Sequence, residues 1–237
     1  MTYTNHADLG GLPGFGAVQP EPEGELWHAT WEPRAMALTV AMGATGAWNI
    51  DQSRSARETL PDYRQCSYYQ VWLGGLQRLL LERQLLHADE LAAGHALHPS
   101  PPLPRRLAAS QVASTLARGA PTARPGNTAA RFAVGDVVRI NSSPTDHHSR
   151  LPAYARGKCG VVQALHGLHV FADSNAQGLG EQPQWLYTVA FDGTTLWGDG
   201  VQTHDDTHAD TDAEAQAHTS VQVSIDAWES TLTLATP

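Results

Sequence analysis

Apolar residues recur with two different periods along this chain, one in each half. In the first half they return every three or four positions, which is the spacing of a helix that buries one face. The clearest stripe of this kind contains Tyr69, Trp72, Leu76, Leu79 and Leu80. From Phe132 onward, short runs that alternate apolar and polar residues are separated by turn residues, as in β-strands. The pattern predicts an α+β chain with a helical first half and a second half built from strands.

Proline positions help to bound the predicted helices. Pro33 suits the first turn of one helix, and Pro61 ends the next. The predicted helices cover Trp31–Met42, Arg54–Leu60, Ser67–Leu86 and Asp89–Ala96. The predicted strands include Val137–Ile140, Gly160–Ala164, His169–Phe171, Leu186–Phe191 and Val221–Ile225.

Composition divides the chain into an arm, two domains and a linker. Residues 1–25 are rich in glycine and proline, which predicts an extended arm that borrows a surface from another chain. An alanine- and serine-rich stretch, followed by prolines, places a linker at 105–130. We therefore expect an N-terminal arm and helical domain at 1–104 and a C-terminal SH3-like β-barrel at 131–237.

Charge and cysteine content narrow the class of protein. The 15 lysines and arginines against 24 aspartates and glutamates give a formal net charge of -9, which opposes a nucleic-acid role. Cys66 and Cys159 do not have Cys-x-x-Cys spacing, so neither a zinc site nor a redox pair is expected. With so few cysteines, we expect the protein in a reducing cytoplasm. We expect neither secretion nor membrane insertion, since no apolar run approaches the ~20 residues that span a bilayer.

The segment from residue 204 to residue 218 is acidic and carries His204, His208 and His218. Histidines with nearby carboxylates can bind divalent ions, so this segment is a candidate for transient metal recruitment. Its spacing fits no closed site, however, and a polar tract of this kind is usually only solvated. We expect an exposed loop between strands, with both interpretations open.

Arginines follow the first predicted strand of the second half at short distances. The run Phe132-Ala-Val-Gly-Asp-Val-Val-Arg-Ile140 predicts a strand entered through a Gly-Asp turn, followed by loop composition. The motifs His148-Ser-Arg150 and Tyr154-Ala-Arg-Gly-Lys158 come next, so Arg150 and Arg156 are expected on a loop at the barrel edge. Judged alone, these arginines and Arg54 are ordinary solvated charges.

Taken together, the chain resembles the β subunit of nitrile hydratase. Besides the two loop motifs, the resemblance is carried by Asp51-Gln-Ser-Arg54, Tyr68-Tyr69-Gln-Val-Trp72, Gly178-Leu-Gly-Glu-Gln-Pro183 and Leu186-Tyr-Thr-Val189. It extends from Asp8-Leu-Gly-Gly11 to Trp228-Glu229. The resemblance implies a cytoplasmic enzyme that converts a nitrile and water to an amide. It also implies activity only with an α subunit, as an αβ heterodimer or an (αβ)2 assembly.

The resemblance places the metal on the partner rather than on this chain. In that family a low-spin Fe(III) or Co(III) is bound by α-subunit cysteines, two of them oxidised to sulfenic and sulfinic forms, and by backbone amides. Arginines of the β subunit reach those oxygens, because a guanidinium can donate two parallel charge-assisted hydrogen bonds. Arg54 and Arg150 match these arginines. Arg156 is the competing candidate and is expected, with His148 and Tyr69, to support the interface.

The resemblance also implies that side chains around Arg54 line the nitrile pocket. The candidates are Trp48, Ile50, Ser53, Tyr68 and Trp72. Trp72 is expected to be mainly core, with the Tyr68 hydroxyl at the lip of the pocket. Family members often carry phenylalanine where Ser53 stands and histidine where Val71 stands, so the shape of the pocket is expected to differ here.

Two alternative functions stay open. Thiocyanate hydrolase uses related chains, although there the two halves typically occur on separate polypeptides. A non-catalytic metallochaperone or activator is a different class, and its members resemble only the N-terminal half. The loop motif His148-Ser-Arg150 in the second half favours the hydratase subunit over this alternative.

Overall fold

The computed structural model describes residues 3–198 and 221–235. Contacts divide the chain into two compact units. Unit 1 contains Met1–Pro121, Thr145–Ser149 and Ala172–Gln182, and unit 2 contains Thr122–Pro144, Arg150–Phe171 and Pro183–Pro237. Two short segments from the second half of the sequence therefore belong to unit 1. The domain bounds drawn from the sequence stay a prediction.

Unit 1 is built from helices. They are α1 (Glu32–Gly43), α2 (Ile50–Glu58), α3 (Tyr68–Glu82), α4 (Ala88–Ala93), α5 (Val112–Arg118) and α6 (Ala172–Ala176). Helix α3 packs against α1 and α2, and α6 packs against α2. Three of the predicted helices are confirmed as α1, α3 and α4, although α3 ends four residues earlier than expected, at Glu82 rather than Leu86.

The start of α2 differs from the prediction. The helix begins at Ile50, not at Arg54, because Asn49 caps it. The Asn49 side chain accepts a hydrogen bond of 2.9 Å from the backbone N–H of Gln52. The Gln52 side chain accepts one of 3.1 Å from the N–H of Asn49. This reciprocal pair is a capping box, and it places Arg54 inside the helix instead of at its first residue.

The core of unit 1 lies between α2 and α3. Its buried members are Trp48, Ala56, Leu76 and Leu79. The last two belong to the apolar stripe that the sequence predicts, and Leu80 of the same stripe packs against them. Burying such side chains stabilises the helix pair by roughly 1.5–3 kcal/mol for each large residue. This packing fixes the rotation of α2 and hence the direction of its other faces.

Unit 2 is built around one antiparallel sheet. Its strands are β1 (Ala123–Arg124), β2 (Val137–Ile140), β3 (Cys159–His169), β4 (Gln184–Asp192), β5 (Gln222–Trp228) and β6 (Leu232–Leu234), and helix α7 (Gly193–Trp197) follows β4. The order is β5-β4-β3-β2-β6, and β1 pairs with β3. Strand β3 is bulged in its pairing with β4, between Val162 and Ala164 and again between Leu165 and Gly167. These bulges bend the sheet around its apolar face.

Alternating residues of the strands form the core of unit 2. Its most deeply buried large side chains include Tyr187, Phe191, Ile140, Leu232, Val138 and Val162. The hydroxyl of Tyr187 donates a hydrogen bond of 2.5 Å to Glu229. Burial, followed by this carboxylate, raises the pKa of Tyr187 to about 12. The phenol is therefore a neutral, permanent donor that ties β4 to the turn after β5.

The α+β class is confirmed, and the sheet is open. Strands β5 and β6 form its two ends, and within residues 3–198 and 221–235 they do not pair with each other. The predicted strand His169–Phe171 is wrong beyond its first residue. Strand β3 ends at His169, and α6 begins at Ala172, although the N–H of Val170 still donates a hydrogen bond of 2.9 Å to the carbonyl of Thr122.

Within the residues that the structure describes, every helix is too short or too polar to cross a lipid bilayer.

Candidate functional site

Arg54 is anchored by a buried carboxylate three residues earlier on α2. Its Nη1 atom donates a hydrogen bond of 3.0 Å to Oδ1 of Asp51. The Asp51 side chain is 5% exposed, whereas that of Arg54 is 40% exposed. One nitrogen of the guanidinium is thus fixed to the interior of unit 1, while much of the group stays accessible.

Asp51 is itself oriented by a distant segment of the chain. Nδ2 of Asn175, in α6, donates a hydrogen bond of 2.7 Å to Oδ2 of Asp51. A buried carboxylate is costly unless hydrogen-bond donors reach its oxygens, and here each oxygen has one. Asp51 also lies in the first turn of α2, where the helix dipole favours negative charge.

A second arginine, Arg57, lies next to Arg54 on α2. Its Nε donates a hydrogen bond of 3.1 Å to the carbonyl of Ser53. Its guanidinium carbon lies 5.1 Å from the centre of the Trp72 ring. Burial lowers the pKa of Arg57, and the positive charge of Arg54 lowers it further. Two neighbouring guanidinium groups make this surface of unit 1 attractive to an anionic group.

An aromatic cluster at the start of α3 lies beside these arginines. The Tyr68 ring centre lies 5.1 Å from that of Tyr69 and 5.6 Å from that of Trp72. Tyr68 is 67% exposed. Tyr69 and Trp72 are half-buried. Burial raises the pKa of Tyr69, with smaller contributions from Tyr68 and Glu32.

The other predicted pocket residues differ in exposure. Ile50 is 47% exposed, whereas Trp48 and Ser53 are 8% and 9% exposed. Trp48 belongs to the core of unit 1, and its edge lines an open groove of about 610 Å³ that also contains Arg83 and Arg105. Ile50 therefore presents an apolar surface near Arg54, and the two buried residues support α2 from behind.

A buried pair of titratable groups ends α2. Nδ1 of His148 lies 3.1 Å from Oε2 of Glu58, and the two side chains are 1% and 12% exposed. Asn5 donates a 3.4 Å hydrogen bond to the same oxygen. The backbone N–H of His6 donates one of 2.7 Å to the carbonyl of Glu58. The pair therefore joins α2 to the N-terminal arm within unit 1.

The loop arginines belong to unit 2. Arg150 is exposed. Arg156 is half-buried and follows the 3₁₀ turn Ala153–Ala155, and its Nη2 donates a hydrogen bond of 3.3 Å to the carbonyl of Leu151. The structure thus gathers the helical candidates in unit 1 and leaves the two loop arginines in unit 2.

A metal ion bound within this chain would need several suitable side chains close together. In the described part of the chain, no cluster of three or more histidine, cysteine, aspartate or glutamate side chains is arranged to hold a metal ion. His204, His208 and His218 lie outside the described residues.

Sequence reasoning missed Asp51, Arg57, Glu58 and Asn175 as parts of this site. A signal for the first existed, because the capping pair Asn49 and Gln52 marks the true start of α2 and so places Asp51 in its first turn. No local signal points to Asn175, since it follows Asp51 by 124 positions.

Comparison with known proteins finds one family across most of the chain. The sequence model described as nitrile hydratase beta subunit, N-terminal, matches residues 3–113. The model described as nitrile hydratase beta subunit, C-terminal, matches residues 121–214. Together the two matches cover both the helical part and most of the strands.

Individual relatives include nitrile hydratase β subunits and, over a shorter stretch, a thiocyanate hydrolase subunit. The low-molecular weight cobalt-containing nitrile hydratase subunit beta of Rhodococcus rhodochrous is 39% identical over 202 residues, 81% of this chain and 89% of that protein. The nitrile hydratase subunit beta of a Rhodococcus species is 33% identical over 238 residues, 97% of this chain and 95% of that protein. Thiocyanate hydrolase subunit alpha of Thiobacillus thioparus is 34% identical over 67 residues, 28% of this chain and 53% of that protein.

Loss of the buried Glu58–His148 pair is predicted to lower the free energy of unfolding more than loss of an exposed ion pair. Glu58→Ala is expected to lower the free energy of unfolding by about 1–3 kcal/mol, because His148 stays buried without its acceptor. Glu82→Ala is the matched control, since it removes an exposed pair with Arg78 and is expected to cost less than about 0.5 kcal/mol. Urea denaturation of both variants measures the difference. Equal losses in the two variants contradict a structural role for the buried pair.

Proposed function

Because this chain belongs to the nitrile hydratase β-subunit family, we propose that it is the β chain of an enzyme that hydrates nitriles to amides. It acts only as a complex with an α subunit, as an αβ heterodimer or an (αβ)2 assembly in the cytoplasm. The observation that carries the proposal is the placement of Arg54, which is anchored to a buried carboxylate and partly exposed beside a second arginine.

The proposed partner subunit holds an Fe(III) or Co(III) centre through cysteines, two of which carry oxygen on sulfur. When bound, the metal supplies a Lewis acid that polarises the nitrile or activates the attacking oxygen. The relative from Rhodococcus rhodochrous is named cobalt-containing, which favours cobalt for this chain. The contribution of the β chain is then to orient and stabilise the oxygens and to enclose the substrate.

Arg54 has the geometry for the first of these tasks. Its Nη1 is bound to Asp51. Among the residues that the structure describes, no other hydrogen bond engages its side chain, so its remaining N–H groups are available to a partner. Sulfenate and sulfinate oxygens are anionic, and burying them at an interface requires cationic donors. A guanidinium supplies a planar pair of donors, whereas a lysine supplies a point charge without the same directionality.

Arg150 is proposed as the second donor to these oxygens. It is exposed and stands two residues after His148, in the motif that matches the family. Arg156 is half-buried and engaged with the carbonyl of Leu151, which suits a supporting role at the interface. We therefore retain Arg150 for the oxidised cysteines and Arg156 for support, together with His148 and Tyr69.

The nitrile pocket is proposed to form against the exposed faces of α2 and α3. Ile50 offers an apolar wall, and Tyr68 offers a hydroxyl at the lip, since both side chains are exposed beside Arg54 and Arg57. Trp72 forms a second aromatic surface at 5.6 Å from Tyr68. Ser53 and Trp48 are buried and set the position of these residues from within unit 1.

The N-terminal arm supports the proposed partner. Large apolar side chains stand exposed along the arm and directly after it: Leu12, Phe15, Val18 and Leu26. Exposed apolar patches of this kind usually mark a protein interface. We propose that the α subunit covers the arm, which matches the expectation of an arm that borrows a surface. We also retain an SH3-like barrel as the proposed class of the open sheet in unit 2.

The alternatives are weaker on the same observations. Thiocyanate hydrolase is supported by a match over 28% of this chain, against 97% for a nitrile hydratase β subunit. A metallochaperone resembles the N-terminal half only, whereas this chain matches the family in both halves. The hydratase subunit is therefore the function that the observations favour.

Replacement of Arg54 by lysine tests the proposal. Arg54→Lys is expected to assemble with the α subunit but to lower kcat by well over tenfold, on the ~10²-fold scale of lost charge-stabilising donors. Arg78→Lys is the matched control, because Arg78 is another exposed helical arginine, at 45%, paired with an acidic side chain. Steady-state nitrile hydration by the purified complexes measures both. A near-normal rate for Arg54→Lys contradicts the role given to the guanidinium.

The two loop arginines are separated by a parallel experiment. Arg150→Lys is expected to lower kcat by about tenfold or more, since it removes a donor to the oxidised sulfur. Arg156→Lys is expected to change kcat by less than about threefold. The Arg156 guanidinium donates to the backbone carbonyl of Leu151 within this chain, and we give it no contact with the reacting groups. The ratio of the two kcat values, at equal metal content, tests which of the two arginines donates to the oxidised sulfur. A larger loss for Arg156→Lys reverses it.

A further inference from the structure

We propose that Asn175 is a positioning residue for Arg54 and acts on it through Asp51. The inference rests on the proposed function of Arg54 and deepens it, because it names the group that fixes the direction of the guanidinium. Asn175 lies in α6, far from α2 in sequence, and its side chain forms hydrogen bonds with Asp51 and with Asn49, the cap of α2.

The contacts form a continuous chain of hydrogen bonds from Asn49, the cap of α2, to Arg54. Asn49 donates through Nδ2 to the backbone carbonyl of Asn175 at 2.7 Å and to its side-chain Oδ1 at 3.0 Å. Nδ2 of Asn175 donates to Oδ2 of Asp51 at 2.7 Å. Oδ1 of Asp51 accepts from Nη1 of Arg54 at 3.0 Å. Each link fixes the next, and the chain ends at the accessible guanidinium.

The amide of Asn175 is held in one orientation. Its oxygen accepts from Asn49, so its nitrogen is left to face Asp51. A carboxylate at the position of Asn175 has no donor for Asp51 and adds a like charge. A small apolar side chain there removes the donor altogether. An asparagine satisfies both neighbours at once, because one end of its side chain accepts while the other end donates.

Asp51 needs this donor to hold Arg54 in one place. The carboxylate is buried, and the terminal torsion of an aspartate is broad, so an oxygen without a partner lets the group rotate. With Asn175 on Oδ2, the other oxygen has a fixed position for Nη1 of Arg54. Loss of Asn175 is therefore expected to leave the ion pair in existence while broadening the direction of the guanidinium.

The path of the backbone places the segment Ala172–Gln182 against α2. The chain leaves the sheet of unit 2 at His169, forms α6, and resumes the sheet with β4 at Gln184. The excursion Ala172–Gln182 belongs to unit 1, where α6 packs against α2. Misplacing a reacting or stabilising group by a fraction of its contact distance costs much of its contribution to the rate. An excursion that ends in a hydrogen bond to Asp51 thus serves the position of Arg54.

The test uses the complete complex with its α subunit and its metal. Asn175→Ala is expected to lower kcat for nitrile hydration by about tenfold, with KM changed by less than about twofold, because the interaction lost acts on the transition state. Gln177→Ala is the matched control. Gln177 is an amide next to α6 whose Nε2 donates a hydrogen bond of 3.0 Å to the carbonyl of Asp173, and its removal is expected to leave kcat within about twofold.

A double-mutant cycle separates positioning from general stability. In the Arg54→Lys complex, Asn175→Ala is expected to add less than about twofold to the loss of kcat, since Asn175 acts through Arg54. A full tenfold additional loss overturns the inference. An unchanged kcat for Asn175→Ala, with Arg54→Lys inactive, also overturns it while leaving the proposed function standing. An active Arg54→Lys complex instead removes the proposed role of the Arg54 guanidinium, on which this inference rests.

A second variant covers failure of Asn175→Ala to assemble. Asn175→Asp keeps the size of the side chain and replaces the donor with an acceptor, so it is expected to lower kcat by at least about tenfold near pH 7. Unchanged kcat in that variant overturns the role of the Nδ2 donor.

Discussion

The hydrogen-bonded ion pair between Asp51 and Arg54 is the contact on which the proposed site depends. Its carboxylate is buried and its guanidinium is partly exposed, so the pair connects the interior of unit 1 with its accessible surface. The first turn of α2 and Asn175 offset the cost of burying Asp51. An arginine on the surface of a helix usually samples many rotamers. Here one end of the guanidinium is hydrogen-bonded to a buried carboxylate.

The two neighbouring arginines of α2 make their surface attractive to an anionic group. The chain carries a formal net charge of -9, yet Arg54 and Arg57 lie close enough for one to lower the pKa of the other. Their mutual repulsion is a cost in the isolated chain, and an anionic group on a partner removes it. The proposed oxygenated sulfur atoms of an α subunit are such groups.

Local sequence signals predicted much of the fold and less of the site. The apolar stripe of α3 placed Leu76 and Leu79 in the core, and the alternation in the second half found the central strands. The start of α2 was predicted four residues late, because the capping pair Asn49 and Gln52 was not used. Arg54 itself emerged only from the family resemblance. Asn175 could not be paired with Asp51 by pattern, because a hydrogen bond across 124 residues leaves no periodic trace.

The most direct measurement is an experimental structure of this chain assembled with its α subunit and metal. The account predicts that guanidinium nitrogens of Arg54 and Arg150 lie within about 3.2 Å of oxygen atoms on the partner's oxidised cysteines. It also predicts that Arg54 keeps its contact with Asp51, now held at 3.0 Å. A complex in which both guanidinium groups face solvent, remote from the metal centre, contradicts the account.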